Sequence, residues 1–84
     1  MGRSEKLMLQ LLRGTSDANF AFDDLRMMLL HLGFEERTRG SHHIFRRAGV
    51  DELVNLQRDG KDAKPYQVRQ VRAVVLRHKL GGEE

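Results

Sequence analysis

The chain has no cysteine, no tryptophan, one proline and one tyrosine among its 84 residues. Without cysteine there is neither a disulfide framework nor a thiolate metal site, and the composition fits a reducing compartment. No apolar run approaches the ~20 residues that a membrane helix needs. The amino end, Met1-Gly2-Arg3-Ser4-Glu5-Lys6, carries charges with no long apolar block behind them, so it does not read as a secretion signal. Internal repeats and low-complexity tracts are also missing. What remains is one small domain. At this size folding removes only about 60% of the unfolded chain's surface from water. The core is then a single layer with little room for an enclosed cavity, and a surface site for a macromolecule is the expectation.

Charge is modest in sum and uneven in placement. The net charge is +3, with acids paired at Asp23-Asp24, Glu35-Glu36, Asp51-Glu52 and Glu83-Glu84. From Arg37 to Arg47 there are four arginines, two histidines and no carboxylate, and a second basic stretch runs from Arg69 to Lys79. Such asymmetry is the electrostatic footprint of a nucleic-acid binder. The plainer alternative is a solvated charged surface, and the arginines near the carboxyl end suit that alternative better.

Apolar spacing predicts a helix over Ser4–Leu12, with Leu7, Met8, Leu11 and Leu12 recurring and Arg13-Gly14 as its stop. This helix can pad the core, form a dimer contact or seat a partner. Thr15 to Asn19 is a polar connector. A second helix is expected from a cap at Asp23, with Phe22 and Met27 as a hydrophobic staple, an apolar stripe of Leu25, Met28, Leu29 and Leu32, and Gly33 as terminator. Beyond Gly33 the period becomes alternating, which predicts strands at 34–39, 42–47 and 53–58 joined by hairpin turns. In the second strand His43 and Phe45 share one face, and His42, Ile44 and Arg46 share the other. In the third, Val54 and Leu56 oppose Leu53, Asn55 and Gln57. Residues 59–62 read as a loop. Pro65 opens a last helix to about Lys79, with Val68, Val71, Val75 and Leu76 as inward candidates. Gly81-Gly82 closes it before a flexible tail.

This order is α+β, and from Phe22 to Leu80 it is the α-β-β-β-α order of a double-stranded-RNA-binding domain with a three-stranded antiparallel sheet. The residues that could carry chemistry cluster in Gly40-Ser41-His42-His43-Ile44-Phe45-Arg46-Arg47. Histidine, with an unperturbed pKa of about 6.5, is the side chain best suited to exchange protons near neutrality. Neighbouring strand residues point to opposite faces, so only one of the pair reaches the open face, and the alternation favours His42. A packed ring beside an exposed ring would look the same. Metal binding is weaker: adjacent histidines diverge, and His31 and His78 lie on helices with no carboxylate pattern nearby.

Gly40-Ser41-His42-His43-Ile44-Phe45, the strand after it, and Lys64-Pro65-Tyr66-Gln67-Val68-Arg69 opening the last helix resemble the HicA toxins of HicA–HicB toxin–antitoxin pairs. The resemblance covers roughly residues 22–80, within a domain expected over 20–80, with residues 1–19 as an additional helix and connector. It implies a small metal-independent, cofactor-free endoribonuclease (an mRNA interferase) that acts in the cytoplasm and is neutralised by a HicB-like antitoxin. It also implies catalysis by the histidine after Gly-Ser, here His42, with His43 as the alternate. Many relatives carry Pro-His near the end of the third strand, where this chain has Gln57-Arg58-Asp59. RNA supplies its own nucleophile, the 2′-hydroxyl, so a ribonuclease needs only proton transfer and stabilisation of phosphate charge. The RNA-binding candidates are Arg39, Gly40, Ser41, Arg46, Arg47 and Lys64. Two rival expectations are a non-catalytic RNA-binding module and a protein-interaction domain with an acidic partner. The first uses the same basic strand, and the second leaves Gly40-Ser41-His42 unexplained.

Overall fold

The computed structural model describes residues 2–14 and 17–80. The elements are α1 (Arg3–Arg13), a 3-10 turn at Asp17–Asn19, α2 (Phe22–His31), β1 (Glu35–Arg39), β2 (His42–Arg47), β3 (Val50–Leu56), β4 (Arg58–Asp59), β5 (Asp62–Ala63) and α3 (Pro65–Arg77). The chain is α+β: β1, β2 and β3 form an antiparallel sheet in that order, and α2 and α3 frame it in sequence. Thr15, Ser16 and the expected closing glycines and tail at 81–84 lie outside the described residues.

α1 stops where Gly14 turns into the left-handed region at φ +73° and sends its amide back to the Leu11 carbonyl at 3.2 Å. Only a residue without Cβ takes that conformation at little cost. Leu7, Met8 and Leu11 are buried in the same apolar cluster as Phe20, Phe22, Leu29, Phe45, Val54, Val68 and Val75. α1 therefore pads the core.

α2 departs from expectation at its start. It begins at Phe22, capped by the extended Ala21 with no side-chain bond, so Asp23 is a first-turn residue and not the cap. The Asp23 carboxylate accepts instead from Arg58 Nη2 at 2.8 Å. With Ala21 as the cap, Phe22 and Met27 do not hold the staple positions, and Phe22 is wholly buried while Met27 is 37% exposed. The entry angle is set by the backbone: the Phe22 amide donates to the Lys61 carbonyl at 3.0 Å, and Ala21 bridges Asp62. Those bonds come from a segment expected to be a loop. β4 pairs with β5 around Gly60 at φ +65°, making a small ribbon against the start of α2.

β3 starts three residues before its expected position because the turn at Ala48-Gly49 is short and Arg47 pairs with Val50. In α3, Pro65 occupies the first turn, where its missing amide leaves no bond unmade. Val68, Val71 and Val75 are buried as expected and Val74 joins them, whereas Leu76 is 61% exposed. Gln67 is buried to 2% exposure. Its Oε1 accepts from the amides of Gln57, at 3.2 Å, and Lys64, at 3.4 Å, which fastens the end of β3 to the start of α3.

The sheet buries one face. Phe45, Val54 and Leu56 are fully buried beneath the helices, and His43 lies half-buried beside them. The opposite face, carrying Arg37, Arg39, His42 and Asn55, is exposed. Alternation along β2 thus sends the two adjacent histidines to opposite sides.

Candidate active site on the outer face of the sheet

The tight turn at Gly40-Ser41 joins β1 to β2 so that Arg39 stands directly across from His42. Gly40 takes φ +56°, with open space where a Cβ would be, so its requirement is the left-handed turn itself. The same register places Arg37 across from Ile44 and Glu35 across from Arg46, while Ile44 pairs on its other side with Asn55. His42 Nδ1 lies 3.2 Å from Asn55 Oδ1, and Gln57 Nε2 donates to Ser41 Oγ at 3.3 Å. The ring of His42 is exposed, with Arg39 at its flank and two uncharged amides nearby, Asn55 on β3 and Gln57 just past the end of that strand.

His43 has a different environment. Its Nδ1 lies 2.7 Å from Glu36 Oε2, and its ring packs edge-on against Phe22 with centroids 4.9 Å apart. Glu36 also accepts from Arg26 Nε at 2.8 and 3.0 Å, so this carboxylate ties β1 to both α2 and β2. The Arg26 guanidinium, and after it the His43 ring, hold the Glu36 carboxyl below its ordinary range. The Arg58 guanidinium lies over the Phe22 ring, 4.3 Å from its centroid. His43 is one member of a packed polar layer on the covered side.

Eight of the arginines fall into two groups. Arg26, Arg58, Arg72 and Arg77 each hold a carboxylate, that of Glu36, Asp23, Asp17 and Glu52 respectively. Arg72 bonds both oxygens of Asp17, at 2.9 and 3.1 Å, and the Leu11 carbonyl at 3.2 Å, which joins α3 to the end of α1. That bond holds the Asp17 carboxyl below its ordinary range. The second basic stretch is thus partly structural and not a uniformly solvated face. The expectation that His78 lacks a carboxylate is also corrected, since its Nε2 lies 2.8 Å from Glu52 Oε1. Arg37, Arg39, Arg46 and Arg47 make no ion pair among the described residues.

Of the residues singled out in the sequence, Arg39, Gly40, Ser41, His42 and Arg46 share one turn and the outer side of one strand pair. Arg47 follows a bulge in β2, is half-buried, and leans on Gly33, where it and Arg46 line an open groove of about 690 Å³ with Glu35 and Leu53. Lys64 precedes α3, connected to the site through Gln67 and Gln57. Asn55 and Gln57 were not among the candidates. Alternation already placed both opposite Val54 and Leu56, and only the strand register was missing to bring them beside His42 and Ser41. Among the described residues no three His, Cys, Asp or Glu side chains group closely enough to hold a metal ion. Among the described residues no helix is long and apolar enough to cross a membrane.

The family model described as HicA toxin of bacterial toxin–antitoxin matches residues 22–78, from the first residue of α2 to just past α3. The chain belongs to the HicA toxin family. It is a toxin of a toxin–antitoxin system. The matched span holds the whole sheet, both framing helices and every candidate site residue, while α1 lies outside it. No curated protein and no solved structure matches the chain.

Proposed function

We propose that this HicA-family chain is a metal-independent endoribonuclease that cleaves mRNA in the cytoplasm with His42 as its catalytic residue, and that a HicB-like antitoxin neutralises it. The observation that supports this most is the separation of the two histidines. His42 stands exposed on the outer sheet face in a row of arginines that make no ion pair among the described residues, whereas His43 is engaged by Glu36 and Phe22. A double-stranded-RNA-binding-like fold suits such use, with the sheet presenting the strand and the arginines drawing in phosphate.

In the reaction, neutral His42 takes the proton of an RNA 2′-hydroxyl at Nε2. The freed oxygen attacks the adjacent phosphorus and the bond from phosphorus to the 5′-oxygen breaks. The products are a 2′,3′-cyclic phosphate and a 5′-hydroxyl whose proton comes from water. Arg39, directly across from His42, offsets the charge that builds on the phosphate oxygens. Ser41, Arg46, Arg47 and Lys64 hold the flanking backbone, and Gly40 keeps the turn tight enough for it to pass.

The test is growth after induced expression of the chain and of His42→Ala, with mRNA length followed in both. Arrest with cleaved mRNA in the parent, lost in the variant and relieved by a co-expressed HicB-like antitoxin, is the expected result. Equal cleavage in both strains would remove His42 from the chemistry. Tight RNA binding by purified protein that never cuts would instead favour the non-catalytic RNA-binding module.

A further inference from the structure

We infer that Asn55 is a positioning residue: its side-chain carbonyl accepts the Nδ1–H of His42 and so fixes the ring with Nε2 facing the RNA. This rests on the nuclease reading above and names a residue it did not include. A neutral imidazole has one donor and one acceptor nitrogen, and whatever bonds the first decides which nitrogen is left as the base. The two atoms are 3.2 Å apart, within hydrogen-bond range. Bond and ring both lie on the exposed face, so Nε2 is the nitrogen left without a partner among the described residues.

The arrangement has a rationale at each level. Asn is depleted in strands, where β-branched and aromatic side chains pack best, yet Asn55 occupies the solvent face of β3. A residue that contradicts its local preference marks a place where something other than folding sets the choice. The register supplies the reach. Asn55 pairs with Ile44, so its side chain meets the β2 residue two positions away on the same face, which is His42. An amide suits the task better than a carboxylate. It orients the ring without adding a negative charge beside incoming phosphate, and without favouring the imidazolium that has already lost its capacity as a base. The charged groups facing the ring among the described residues are then cations on β1, with Arg39 opposite and Arg37 diagonal, while the third-strand side presents the uncharged Asn55 and, just past the end of β3, Gln57. One exposed histidine, prevented from turning, can serve where His43 points to the other side.

The experiment compares parent, Asn55→Leu, Asn55→Asp and His42→Ala by two readouts. One is the His42 ring tautomer from nitrogen NMR shifts, which needs no RNA. The other is the pH profile of single-turnover RNA cleavage. The parent is expected to show the Nδ1–H tautomer. Asn55→Leu, which suits a strand, should lose that preference and slow cleavage about ten- to a hundredfold with RNA affinity unchanged. Asn55→Asp keeps the acceptor, so it should recover cleavage at high pH while the ascending limb moves to higher pH. An Nε2–H tautomer in the parent, or an Asn55→Leu profile that overlays the parent's, would overturn the assignment. His42→Ala separates the two claims. Full cleavage by that variant sinks the nuclease reading of His42 itself, whereas cleavage lost there and unchanged in Asn55→Leu sinks only the positioning role.

Discussion

Replacing Glu36 with Gln tests how much of the fold depends on the covered face of the sheet. Glu36 holds two partners at once, Arg26 on α2 and His43 on β2, and its side chain is 12% exposed. Hydrogen bonds to charged groups contribute about 1.5–3 kcal/mol each when one partner is removed. Two effects lower that figure here. The Arg26 side chain is 42% exposed and regains water when released, and the Gln carbonyl still accepts one bond. The expected loss is therefore about 2 kcal/mol, which for a domain of this size is a fall in Tm of roughly 8–16 °C. The pH dependence carries a sign. Arg26 and then His43 depress the Glu36 carboxyl below its ordinary 4.5, so its contribution is fully present above that value and is lost as pH falls through the folded-state value. Urea unfolding of parent and variant should differ by the full amount at neutral pH and converge in strong acid, where Glu36 is protonated and nearly isosteric with Gln. An equal gap at both pH values would refute the ionic origin of the contribution, and no gap at neutral pH would refute the coupling of β1 to α2 through this carboxylate.

Three further outcomes separate structural from chemical roles. His43→Gln should cost about 1–2 kcal/mol in urea unfolding while leaving RNA cleavage per folded molecule within about threefold of the parent; a folded variant without cleavage would move the catalyst to residue 43. Arg39→Ala should weaken RNA binding and reduce the salt slope of log K by about one, whereas Arg69→Ala, whose charge acts on Asp17 and not on the outer face, should leave the slope unchanged. Asp17→Ala removes two bonds from Arg72 and should cost about 1–2 kcal/mol, with faster amide exchange across α1 as the local readout and cleavage per folded molecule intact.

The sheet's two faces were legible in the sequence because they depend on a period of two that each strand states by itself. His43 with Phe45 inward and His42 with Ile44 and Arg46 outward needed no partner strand to be read. Helix ends marked by a conformation only one residue type adopts readily, at Gly14 and Gly33, were legible for the same local reason. What escaped notice is held by contacts distant in the chain. Asp23 reads as a cap because caps are local, but its partner Arg58 is 35 residues away. Arg72 reads as a surface charge, yet it grips Asp17 across a separation of 55. The β4–β5 ribbon is too short for alternation to show, and it exists because Ala21 and Phe22 give it backbone partners. Asn55 lay between these cases, its face readable and its neighbour dependent on register.

The division among the arginines bears on how a partner would compete for this surface. Acid and base are matched where they join elements: Glu36 with Arg26, Asp17 with Arg72, Asp23 with Arg58, Glu52 with Arg77. On the outer face the matching stops, because Arg37, Arg39 and Arg46 make no ion pair among the described residues and the nearest strand acid, Glu35, stands across from only one of them. Leaving cations unmatched does not stabilise a small domain, since an exposed pair is worth little and like charges repel. Their advantage is realised only when an anion arrives from outside. An RNA strand would supply that anion as a row of phosphates, and an antitoxin would supply it as carboxylates. Both would meet the same three arginines, so binding of an acidic antitoxin over β1 and β2 should be mutually exclusive with RNA. Raising salt should then weaken both complexes in parallel, because each exchanges counterions at the same positions. Gel-shift competition at two ionic strengths would show it: a ternary complex of toxin, antitoxin and RNA at either strength would place the antitoxin on another surface and leave the unmatched arginines to RNA alone.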